Sequence, residues 1–220
     1  MIIEYIRQSI FFFRSNITVL AKIHLPFILI FNLLLLQIEQ PLSSENSDSL
    51  LYISALNLLF IPIYWGATIA FMQSTVEGPQ YTAGQAIVAS FSNWPRLFLV
   101  FLISSICIIL GFMAFIVPGI YIAVRLSIAD YICVVEKKTP LPSLKQSWQH
   151  TEQYIWPILN GTAAILMAIM LSKYLLTSLL GSILNDYQYL SLLLDICFDF
   201  MNVLVMIYGF RIYCLIKQEL

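Results

Sequence analysis

The stretch LFLVFLISSICIILGFMAFIVPGIYIAVRLSIADYICVV, residues 97–135, decides how this chain is read. It is 39 residues long, and its only ionisable acidic or basic groups are Arg125 and Asp130. As one helix it would run to about 58 Å, roughly twice the hydrocarbon thickness of a bilayer. Pro118-Gly119 divides it. Proline disfavours helix at the residue before it, and glycine supplies positive φ. The halves 97–117 and 120–135 therefore read as antiparallel spanning helices, with Pro118 and Gly119 as the structural turn. The second half is short, about 24 Å if helical, and borrows a residue or two at each end.

Working outward, four more runs reach spanning length, giving spans at about 17–36, 50–72, 97–117, 120–135, 155–180 and 190–216 in a single membrane domain over 1–220. Composition agrees. Of 220 residues, 60% are hydrophobic and 10% charged, against about 25% charged in a soluble domain. A soluble core of this size cannot hide so much apolar surface. The N-terminal run is read as a retained first helix, because Glu4 precedes it and residues 37–44 offer no small-x-small cleavage site. Cys107, Cys133, Cys197 and Cys214 fall in apolar runs without a CxxC and read as small buried hydrophobes.

Basic residues set the expected orientation. With the N-terminus inside, Arg7, Arg14, Arg96, Lys137, Lys138, Lys145 and Lys217 are cytoplasmic. The outer loops, 37–49 and 181–189, carry Glu39, Glu45, Asp48 and Asp186 and no Lys or Arg. Both termini are then cytoplasmic.

Three cytoplasmic segments precede spans and show helical apolar spacing: Ile3, Ile6, Ile10, Phe13 and Ile17; Ala83, Ile87, Phe91 and Trp94; Leu141, Leu144, Trp148 and Ile155. Each reads as a short interfacial amphipathic helix. Trp94, Trp148 and Trp156 are the expected interfacial anchors, two of them in Trp-Pro steps at Pro95 and Pro157. The expected architecture is all-α: six transmembrane helices as three hairpins, each preceded by an interfacial helix. Linker amphipathicity without a repeat is the plainer alternative.

With the segments placed, the run Phe115-Ile116-Val117-Pro118-Gly119-Ile120-Tyr121-Ile122-Ala123-Val124-Arg125-Leu126-Ser127 resembles the proline-glycine hairpin of YciC-type inner-membrane proteins. A related pattern occurs in the membrane domain of some glycerophosphodiester phosphodiesterases. Leu144-Lys145-Gln146-Ser147-Trp148, the ending from Met206 to Gln218, and Phe11-Phe12-Phe13-Arg14 are similar to other parts of the same family. The resemblance implies a multi-pass inner-membrane protein of Gram-negative bacteria. Its motifs are structural, so it implies no activity.

No catalytic, cofactor or metal motif is present, no enzyme activity is expected, and no nucleic-acid partner is expected. His24 and His150 read as headgroup-contacting or solvated. The informative feature is charge inside the spans: Arg125, Asp130, Lys173, Asp195 and Asp199. Each costs at least about 2.5–3.5 kcal/mol on insertion scales and must find a partner. Counting along straight helices puts Arg125, Lys173 and Asp195 at one level, roughly 9–11 Å below the outer surface, with Asp130 and Asp199 deeper. One interlocked network is expected, either structural or the wall of a polar pocket. Lys173 and Asp195 are expected to pair across the last two spans. Two roles remain open: binding membrane lipids or a membrane-protein partner in envelope or lipid homeostasis, and a small transporter or flippase component using the charged layer.

Overall fold

The computed structural model describes residues 2–38, 46–186 and 188–219. Expectations that rest on residues 39–45, including Glu39 and Glu45 of the first outer loop, lie outside the described residues. The helices are α1 Ile2–Ser15, α2 Ile17–Ile38, α3 Asn46–Glu77, α4 Ala83–Ala114, α5 Ile116–Leu126, α6 Ala129–Val135, α7 Pro140–His150, α8 Ile155–Asp186, α9 Gln188–Met201 and α10 Val203–Glu219, with one 3-10 turn at Glu152–Tyr154. Among the described residues there are no strands. Among the described residues, six stretches are long and apolar enough to cross a membrane.

The bundle is apolar on its outside. Ile109, Leu110, Met113 and Val117 of the α4–α5 pair are exposed, as are Met167, Met170, Leu171 and Leu179 of α8. Inside sit α6, buried from Ala129 to Val134, and α10, buried at Met206, Tyr208, Ile212 and Ile216 among others. Three tyrosines stitch this centre. Tyr131 Oη donates to the Met206 carbonyl at 2.9 Å, Tyr208 Oη to the Pro157 carbonyl at 2.6 Å, and Tyr213 Oη to Glu136 Oε1 at 3.1 Å. Glu136 ends α6 and also meets Lys138 Nζ at 2.7 Å and Gln146 Nε2 at 3.3 Å. Burial pushes its carboxyl up, but the hydrogen bonds from Lys138, Tyr213 and Gln146 outweigh it and hold the group below the ordinary glutamate value.

Several expected boundaries shift. The turn between the third and fourth spans lies at Phe115, whose extended backbone (φ −167°, ψ 163°) separates α4 from α5. Pro118 and Gly119 instead sit in the first turns of α5, where the carbonyl partner that proline cannot use is missing anyway. Gly119 serves close approach: a Cβ there would fall 2.5 Å from the Phe112 ring, and one at Gly111 would fall 3.0 Å from Gly119 Cα. The fourth span is broken at Ser127–Ile128 and the sixth at Asn202. The second outer loop contracts, with α8 continuing to Asp186 and α9 starting at Gln188.

Of the three expected amphipathic helices, α1 and α7 are discrete and the second is not. Residues 83–94 run into the following span without interruption through Pro95, opening on a Thr82–Gln85 capping box. Trp94 is half-buried against α3, donating from Nε1 to the Leu59 carbonyl at 3.0 Å. Helix α1 packs on α10 and α8. Trp148 and Trp156 are exposed. The cysteines are unpaired, but only Cys133 is buried and Cys197 is exposed.

Candidate functional site: polar groups within the helix bundle

The break between α5 and α6 frees carbonyls that a continuous helix would satisfy. Val124 O accepts from Ser127 N and from Ser127 Oγ at 2.7 Å. Arg125 O accepts from Ser147 Oγ at 2.8 Å and Thr151 Oγ1 at 3.1 Å. Two hydroxyls on one face of the α7 segment thus clamp the end of α5. They also fix Arg125, which is 4% exposed. Its guanidinium lies 4.9 Å from the Trp148 ring centre and 5.6 Å from that of Tyr121. Nη2 is 3.8 Å from Glu152 Oε2.

Asp130 follows the same break and is buried. The Trp65 indole N–H donates to its Oδ2. Both line a cavity of about 280 Å³ between α3, α4, α5, α6, α8 and α10. Its walls are chiefly apolar, with Val100, Ile108, Ile158 and Val205 among them; Ser104, Ser105, Ser127 and Thr162 add hydroxyls.

A second cavity, of about 270 Å³, holds Asp199. Asn32 Nδ2 donates to Asp199 Oδ2 at 3.0 Å. Asn57, Tyr64, His24 and Asn202 share the lining. His24 is buried, contrary to the solvated position expected for it, with Nε2 2.7 Å from Thr68 Oγ1. Trp65 and Met206 line both cavities and form the wall between them. Each cavity is also lined at a helix break, the first at Ser127–Ile128 and the second at Asn202. Irregular backbone at membrane depth is tolerated where it lines a cavity or is buried in protein.

The five intramembrane charges therefore do not form one network. Lys173 Nζ and Asp195 Oδ1 pair at 2.8 Å between α8 and α9. Arg125, Asp130 and Asp199 occupy three other places, each with partners of its own. Among the described residues, the buried side-chain polar atoms without a partner are Ser104 Oγ, Asn57 Oδ1, and Arg125 Nε and Nη1. Ser104 belongs to the first cavity and Asn57 to the second.

Trp65, Asn57, Tyr64, Thr68 and Ser104 went unremarked in the sequence reading. A signal existed: Asn57, Tyr64 and Thr68 are spaced seven and four apart in an apolar span, one helix face of hydrogen-bonding groups. Trp65 offered none, since a tryptophan in an apolar run does not reveal which group its N–H will meet.

Comparison with known proteins places the chain. The model of UPF0259, an uncharacterised protein family, matches residues 1–215. A UPF0259 membrane protein of Serratia proteamaculans is 28% identical over 190 residues, covering 83% of this chain and 73% of the relative. One of Photorhabdus laumondii is 26% identical over 160 residues, covering 70% and 59%. One of Pectobacterium carotovorum is 25% identical over 188 residues, covering 83% and 74%. The chain thus spans between about three fifths and three quarters of these relatives. No solved structure matches.

Proposed function

We infer that this chain, which belongs to the uncharacterised UPF0259 family of membrane proteins, binds a lipid-class amphiphile in the cavity walled by Trp65 and Asp130. One observation carries the reading: a chiefly apolar cavity contains a single carboxylate whose side-chain partner is a neutral indole N–H. Apolar walls take an acyl chain. A carboxylate in low dielectric favours a cation or a strong donor. The ligand that satisfies both is an amphiphile with an amine-bearing headgroup, and the unpartnered Ser104 hydroxyl offers a further polar contact. The role is non-enzymatic, in envelope or lipid homeostasis.

The test is to purify the protein in mild detergent and identify retained lipids by native mass spectrometry. Wild type retains an amine-bearing lipid at about one per chain. Asp130→Asn keeps the fold and loses at least about tenfold in retention, because a charge-assisted contact becomes a neutral one. Equal retention in the two proteins contradicts the reading.

The shared Trp65–Met206 wall and the two helix breaks favour a second reading, in which the two cavities form one path across the membrane. In either case we place the chain in the inner membrane with both termini cytoplasmic, an orientation that the distribution of Lys and Arg supports. Reporter fusions after Pro79 and Lys138 are expected to read cytoplasm, and a fusion after Ser47 periplasm. A cytoplasmic signal at Ser47 overturns the orientation.

A further inference from the structure

We propose that Arg125 is the centre of a second binding site, for a phosphate-bearing group, beneath the surface patch formed by Tyr121, Trp148 and Glu152. It does not rest on the cavity reading: Arg125 is absent from the cavity lining. An arginine buried within the bundle normally meets a carboxylate through paired hydrogen bonds. Here the side chain is 5% exposed, and Nε and Nη1 have no partner. Among the described residues the carboxylate that comes within 4 Å of it is that of Glu152, which is 74% exposed and stands 3.8 Å away, too far for a hydrogen bond. The guanidinium is held by two aromatic faces and by the double hydroxyl clamp on its own carbonyl. It is fixed in place while two of its donors are unused.

The cover over it is thin. Tyr121 and Trp148 are themselves exposed at 42% and 38%. Lys145, one turn before Trp148 on α7, is exposed and adds positive charge to the same helix face. An exposed tryptophan beside a basic group is the chemistry of the headgroup region. A phosphate can take Nη2, the nitrogen that faces Glu152, together with the free Nε or the free Nη1, and either pair is a bidentate fork that a carbonyl or hydroxyl does not match. Glu152 is then the weak resident counter-charge that the phosphate displaces.

The test is equilibrium titration of the detergent-solubilised full chain with three probes: dioctanoyl phosphatidylglycerol, phosphate-free dioctanoylglycerol, and inorganic phosphate. The phosphatidylglycerol is expected to bind wild type, and Arg125→Met to weaken it by at least about tenfold. Glu152→Gln removes the competing charge and is expected to tighten binding by about two- to fivefold. The phosphate-free probe is expected to show no difference between wild type and either variant. If inorganic phosphate binds as tightly as the lipid, with the same dependence on Arg125, the site takes the free ion. If it does not, the site takes a lipid headgroup. Unchanged phosphatidylglycerol affinity in Arg125→Met overturns the proposal. Should that variant fail to fold, Glu152→Gln decides: unchanged or weaker binding there overturns it equally.

Discussion

Gly161→Ala is expected to destabilise the protein by about 3 kcal/mol or more, the upper end for overpacking a filled core. The position lies in α8, and a Cβ there would enter the Tyr208 ring of α10, overlapping Oη, Cζ and Cε1. Tyr208 cannot step aside. It is fully buried, and its hydroxyl is held by the Pro157 carbonyl one turn before Gly161. Glycine is used here for the absence of a side chain, which lets tyrosine lie flat against the backbone of α8. The measurement is unfolding in detergent, followed by helical signal against denaturant. Tyr208→Phe removes one of the overlapping atoms, so Gly161→Ala in that background should cost measurably less than in wild type. Equal costs in both backgrounds would mean that the α8–α10 contact is not set by this pair.

The second large effect concerns Lys173 and Asp195. Their side chains are 45% and 41% exposed, and in a spanning bundle that exposure is to lipid as much as to water. Lys173→Ala strands the aspartate and Asp195→Ala strands the lysine. Each single change is expected to cost about 2–3 kcal/mol, the insertion cost of one uncompensated charge near a helix centre. The double change removes both charges together and should cost clearly less than the sum. The coupling in the double-mutant cycle is then favourable, on the order of 1 kcal/mol or more. Side chains that reach the interface by snorkelling reduce this figure, since a solvated pair contributes little. Additive single changes would show that the two groups are independently solvated. Asp199 is not the expected substitute partner, because Asn32 already donates to it in the second cavity.

How much of this was legible in the sequence depends on which force wrote each feature. The six spans were legible because the requirement for an unbroken apolar length acts on composition alone. The pairing of Lys173 with Asp195 was also within reach, since the two lie on consecutive spans and need each other, although α8 runs on to Asp186 and leaves Lys173 more than three turns from the connection. The turn at Phe115 was not legible. Pro118 and Gly119 looked like the turn, yet a proline within the first turn of a helix lacks a hydrogen bond it would not have made. The breaks at Ser127–Ile128 and Asn202 carry neither proline nor glycine. At the first, distant groups satisfy the freed backbone, Ser147 and Thr151 acting on Arg125 from 22 and 26 residues away; at the second, Asn202 Nδ2 donates to the Phe198 carbonyl one turn back. Those breaks also defeat depth counting along straight helices, so the single charged layer became four separate places. The fusion of residues 83–94 with the following span escaped for a related reason. Trp94-Pro95 reads as a boundary, but α3 offers a carbonyl to Trp94 and the helix passes through.

The family adds a constraint of its own. The match over residues 1–215 includes both helix breaks and both cavities, whereas the relatives extend beyond the region matched here.

Whether Asp130 anchors a lipid is decided by an electron cryo-microscopy map of the protein in nanodiscs rich in phosphatidylethanolamine. Elongated density is predicted between Val100, Ile108, Ile158 and Val205, with a headgroup feature within hydrogen-bonding distance of Asp130. The same map from Asp130→Asn protein should lose that density while helices α1 to α10 keep their places. A wild-type cavity that holds only isolated water-sized peaks around Asp130, or has collapsed onto it, would rule out lipid binding there.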